Sequence, residues 1–204
     1  MSAPEATTTS TSPGDHEHPD SEAIKKMLPL RMTSTVVRGF GRGSTDLGIP
    51  TANLDRTAIK LYDCKTSSAL TFDDLPCGIY WGFGRIGEKS DAEESTVYKA
   101  AVSIGYNPTY NNKEKTIEPH FIAPPKDSRR HASSCGETLM AEFYDKPIRL
   151  SVVGYLRPEL PFEGLEKLIE AIKNDIVNAE ALGDSTSPEI EQEMKWVATD
   201  INES

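Results

Sequence analysis

From residue 35 to residue 156 the apolar positions come in short runs separated by turn residues, and from residue 163 they switch to a spacing of three and four. The first kind of pattern predicts strands and the second a helix. Residues 35–37 open a strand that ends in the glycine run 39–44, and residues 78–86, rich in aromatic and β-branched side chains, form the next. A polar connection over 87–96 leads to a strand at 98–104, stopped by Gly105 and the Asn107-Pro108 turn. Residues 116–122 are extended, with Pro119 at an edge or a bulge. The prolines and charges of 124–136 predict a loop. Residues 139–144 and 148–156 pair as a hairpin across Asp145, Lys146 and Pro147. About six short strands of this kind predict a small antiparallel barrel or sandwich. The helix is expected over 163–182, with one apolar stripe at 165, 168, 169, 172, 176 and 179 and Gly183 as its stop, packed against the barrel. A second short helix is expected at 189–199, docking through Ile190, Met194 and Val197.

Composition narrows what such a domain can be. With 204 residues and 37% hydrophobic content there is enough apolar material for a core. The net charge of −10 is unevenly placed: residues 1–26 carry −3 and residues 184–204 carry −5, so the 157 residues between them are near neutral. An acidic balance argues against nucleic acid as a partner, because neutralising phosphates needs a basic face. Residues 1–26 hold Ser, Thr and Pro with Ile24 as the one large apolar residue, which predicts a disordered tail. His16 and His18 in that tail read as solvated polar residues. The expected organisation is therefore a tail at 1–26, a barrel domain at 27–183 and an acidic extension at 184–204. No run of 18 apolar residues predicts a membrane span, no basic-then-apolar leader predicts secretion, and the early segment carries acids without Arg. Three cysteines without a CxxC predict neither a disulfide framework nor a zinc site, so a cytoplasmic setting is expected.

Three segments carry candidate chemistry. The glycines at 39, 41, 43 and 48, flanked by Arg38 and Arg42, allow backbone N–H groups to approach an anion, although neither the Walker nor the dinucleotide fingerprint is met. Such a run reads equally as a plain turn. Thr51 and Asn53 in the sequence PTAN stand two apart, so in an extended chain a hydroxyl and an amide oxygen point the same way. That is a donor pair suited to Mg²⁺, or a turn that caps local backbone. Glu118 shares a strand face with His120 and Ile122, opposite Ile117 and Phe121. It reads either as a general base for a hydroxyl or as a solvent-facing edge residue.

Taken in order, the blocks VVRGFGRGSTDLGIPTANL, GIYWGFGRI, VSIGYNPTYNNKEKTIEPHF and VGYLRPELPFEGLEKLIEAIKNDI resemble the riboflavin kinase family, over roughly residues 28–181. The resemblance implies a six-stranded antiparallel Greek-key barrel with a C-terminal helix, and phosphorylation of the ribityl 5′-hydroxyl of riboflavin by ATP to give FMN. It implies Thr51 and Asn53 as ligands of Mg²⁺, with Zn²⁺ or Mn²⁺ as alternatives, and Glu118 as the catalytic carboxylate. It places Gly39, Thr45, Phe121, Ala123 and Tyr144 on the ATP side, and Arg157, Leu160 and Phe162 on the flavin side. Thr45 stands where relatives commonly carry Lys, so a positive charge on phosphate is missing there. The partners implied are riboflavin or FMN and ATP or ADP, with no nucleic acid, no membrane and a monomer as the expected state. Two rival readings are a barrel that binds flavin without phosphorylating it and a silent member acting as a scaffold. FAD synthesis would need a further nucleotidyltransferase domain.

Overall fold

The computed structural model describes residues 21–38, 51–62, 70–87, 96–107, 113–127 and 143–199. Helix α1 (Ser21–Met27) precedes strand β1 (Leu30–Val37). Then come β2 (Asn53–Leu54), β3 (Lys60–Tyr62), β4 (Gly78–Ile86), β5 (Tyr98–Gly105), β6 (Thr116–Ile122) and β7 (Pro147–Arg157). Helices α2 (Leu165–Gly183) and α3 (Pro188–Ala198) follow.

All described strand pairings are antiparallel. Six strands run in the order β2-β1-β7-β4-β5-β6, and the three-residue β3 pairs with β1 off that path. The last strand in the chain is thus inserted between β1 and β4, the non-consecutive pairing of a Greek key. The sheet curls until its ends meet: the Ala52 N–H donates to the Pro119 carbonyl at 2.9 Å, joining the β2 edge to β6. Proline is tolerated there for a simple reason. In an antiparallel strand a residue's N–H and C=O point to the same side, so the N–H that Pro119 lacks would have faced this seam and not β5. The result is a nearly closed β-barrel.

Alternation along the strands sorts side chains into two layers. Met32, Val36, Tyr80, Val102, Ile104, Ile117, Phe121, Leu150 and Val152 fill the barrel interior. Trp81, Phe83, Ala101 and Ile122 lie on the outer face, where Ile176 and Ala179 of α2 and Val197 of α3 cover them. Gly154 makes room for this outer layer, since a Cβ there would strike the Trp81 indole.

Several expectations are corrected. Residues 21–26, read as tail, belong to α1, and Ile24 is buried in the core with Leu28 and Leu30. One apolar residue sufficed because α1 packs against β7. Strand β1 begins at Leu30, five residues before the apolar run at 35–37, because Arg31, Thr33 and Ser34 are buried polar residues with partners. The long helix begins at Leu165, itself exposed. The final helix docks through Ile190 and Val197 as expected and through the buried Glu193, whereas Met194 is 40% exposed. Of the expected hairpin, residues 139–142 lie outside the described residues. Residues 143–146 form a turn beside β1, with the Asp145 N–H donating to the Val36 carbonyl and the Val36 N–H to that of Lys146. Residues 128–136 of the expected loop also lie outside the described set.

Candidate functional site

The seam that closes the barrel also gathers the chemistry. Ala52 faces inward and is buried, so its neighbours Thr51 and Asn53 turn outward. Ile117 and Phe121 likewise occupy the interior, which turns Glu118 outward on β6. Because Ala52 is bonded to Pro119, the two outward sets meet. The Thr116 hydroxyl donates to the Glu118 carboxylate at 2.8 Å, and the Thr51 hydroxyl lies near enough to favour its charged form. Burial pushes the Glu118 carboxyl above its ordinary value, and these two hydroxyls pull it partly back. Asn53 sits opposite Val37, next to the point where β1 runs into the glycine run.

Thr51 and Asn53 offer hard oxygen donors on one side of the chain, with a carboxylate beside them, and this donor set fits a small divalent cation that keeps several waters. Among the described residues there is no cluster of three or more His, Cys, Asp or Glu that could hold a metal. A metal at Thr51 and Asn53 would therefore be held through few protein ligands.

Of the residues expected on the ATP side, Tyr144 sits in the turn docked against β1, and the Arg38 guanidinium lies 4.1 Å from its ring centre. Tyr144 is thereby held beside the end of β1, on the side opposite β2. Phe121 and Ala123 are different: both are buried in the core, Phe121 against Tyr98. Gly39 and Thr45 lie outside the described residues.

On the flavin side, Arg157 forks onto Asp175 of α2, with Nε to Oδ1 at 2.8 Å and Nη2 to Oδ2 at 2.6 Å. Its guanidinium also covers the Phe162 ring at 5.4 Å. Leu160 is 42% exposed and Phe162 is half-buried. Sequence reasoning missed two residues here. Glu159 accepts from the Tyr106 and Asn107 N–H groups and lies close enough to Glu118 for the two carboxylates to repel. Lys115 is buried, with its ammonium donating to the Asp73 and Leu75 carbonyls at the end of a short 3-10 turn (Phe72–Asp74). A charged residue just before a strand, or between two prolines, was the available signal for each.

Comparison with known proteins bears on these features. The Flavokinase family profile, described as riboflavin kinase, matches residues 26–182. A riboflavin kinase of Mus musculus is 38% identical over 158 residues, covering 76% of this chain and 81% of that protein. A riboflavin kinase of Aspergillus fumigatus is 36% identical over 165 residues, covering 72% of each.

Proposed function

The chain belongs to the riboflavin kinase family, which phosphorylates riboflavin to FMN at the expense of ATP, and from that premise we propose how its own residues carry the reaction. Phosphoryl transfer demands positioning and charge neutralisation more than covalent chemistry. Glu118 accepts the proton of the ribityl 5′-hydroxyl as that oxygen attacks the γ-phosphate in line. The carboxyl's raised affinity for protons, a consequence of burial, suits it to the task. Thr51 and Asn53 would hold Mg²⁺, which when bound neutralises charge on the phosphates. Zn²⁺ and Mn²⁺ are alternatives for the same oxygen donors.

The nucleotide lies along the end of β1. Tyr144 and the amides of the glycine run, Gly39 among them, line it, and Thr45 contributes a hydroxyl without charge. Phe121 and Ala123 are buried, so contacts from these positions run through their backbone. The flavin ring, flat and largely apolar, meets Leu160 and Phe162, while Arg157 holds Phe162 and α2 in place.

The observation that supports this reading is the bond from the Ala52 N–H to the Pro119 carbonyl, which sets Thr51 and Asn53 beside the strand that carries Glu118. It is tested by incubating the purified protein with riboflavin, ATP and Mg²⁺ and separating the flavins chromatographically. Wild type should yield FMN without FAD. Glu118→Gln should lose about 10²–10⁴-fold in kcat with riboflavin binding largely intact, the usual worth of general-base help. Near-normal kcat in that variant would remove Glu118 as the base.

A further inference from the structure

Residues 157–162 are anchored twice, at Arg157 and Glu159, and are exposed just beyond the second anchor at Leu160 and Pro161. The first anchor is Arg157 on Asp175. The second is Glu159, whose Oε2 accepts the Tyr106 N–H at 2.9 Å and whose Oε1 accepts the Asn107 N–H at 2.7 Å. Two successive backbone N–H groups form a small anion cradle, and here a carboxylate of the same chain fills it. The cradle exists because the chain leaves β5 sharply: Asn107 has φ 48°, and Gly105 has no side chain. A Cβ on Gly105 would fall on the Glu159 carboxylate itself. Leu160 projects just beyond this latch, Phe162 lies under Arg157, and the Glu118 carboxylate is near enough to raise the proton affinity of Glu159.

We propose that Glu159 is a positioning residue for the flavin substrate: by latching 157–162 onto the turn at 105–107, it fixes where Leu160 and Phe162 meet the ring and so where the ribityl hydroxyl stands relative to Glu118. It touches no reacting atom. The proposal rests on the flavin-side reading above.

Two substitutions attack the latch from opposite sides. Glu159→Gln turns one acceptor into a donor facing a backbone N–H, and Gly105→Ala puts a methyl group where the carboxylate lies. Steady-state kinetics with each substrate varied in turn should show the riboflavin KM raised about tenfold or more in either variant, the scale of one charge-assisted hydrogen bond, with the ATP KM unchanged. Circular dichroism and melting confirm that each variant folds. The double variant should be no worse than the poorer single one, because both remove the same contact. An unchanged riboflavin KM in a folded Glu159→Gln protein overturns the proposal, and so does an additive double variant. Phe162→Ala separates the two levels of the argument. If it raises the riboflavin KM while Glu159→Gln does not, the flavin-side reading survives and the latch alone is wrong. If Phe162→Ala leaves the riboflavin KM unmoved, the flavin-side reading fails and takes the latch proposal with it.

Discussion

Glu118 must be ionised in the proposed mechanism, whereas burial favours it neutral. Its folded carboxyl holds a proton more tightly than an exposed glutamate with its ordinary value of 4.5, because desolvation outweighs the hydroxyls of Thr116 and Thr51. For a carboxyl raised in this way, the associated stability is fully present below the unfolded value and is lost as pH rises through the folded one. Glu118→Gln carries no such charge. In metal-free protein it should therefore melt above wild type at neutral pH, with the gap closing as pH falls below the ordinary glutamate value. Melting curves at several pH values test this, and a gap independent of pH would show that charge burial at Glu118 is not its source. Glu118 and Thr51 were legible in the sequence because simple alternation turns them outward. Glu159 was marked only by its place between two prolines, because its partners are two backbone N–H groups of a distant turn, which residue type does not reveal.

At the level of elements, α3 shows how far pattern reaches. Its existence was readable from apolar spacing, and the structure adds Ser187, whose hydroxyl accepts the Ile190 N–H, and Pro188 in the first turn. Its inward face was readable at Ile190 and Val197 but not at Glu193, which takes a core position an apolar residue would normally claim. The reason lies 162 residues away: Arg31 donates to both Glu193 oxygens at 2.9 and 3.0 Å, and the Ser151 hydroxyl adds a third bond at 2.7 Å. Trp196 stacks against the same cluster, 4.0 Å from the Arg149 guanidinium and 5.5 Å from that of Arg31. Removing one partner of a buried pair leaves the other charge uncompensated, which costs roughly 3–5 kcal/mol. Glu193→Ala should therefore destabilise by about that amount in chemical denaturation. A loss below about 1 kcal/mol, the range of exposed ion pairs, would mean that water replaces the carboxylate freely.

Over the whole molecule, the family resemblance and the folded unit have different boundaries. The family profile ends at residue 182, yet α3 lies beyond it and completes the outer layer with Val197. Arg85, 1% exposed on β4, donates to the Val197 carbonyl at 3.1 Å and the Thr199 carbonyl at 2.8 Å. A chain ended at Gly183 strands these donors and uncovers Trp81 and Phe83, so it should melt well below the full chain, as a thermal scan of both would reveal. Equal melting would make α3 an appendage. At the other end, α1 enters the core through Ile24, where composition alone suggested a tail.

The bond from Ala52 to Pro119 gives this architecture a kinetic meaning. The strands it joins bring Thr51, Asn53 and Glu118 to one seam, so closing the barrel is also what builds the proposed site. On the proposed site, a form with an open seam is not competent, however much of its sheet has formed. In hydrogen-exchange terms the Ala52 amide should then be a clock for activity: FMN formation during refolding should not precede its protection.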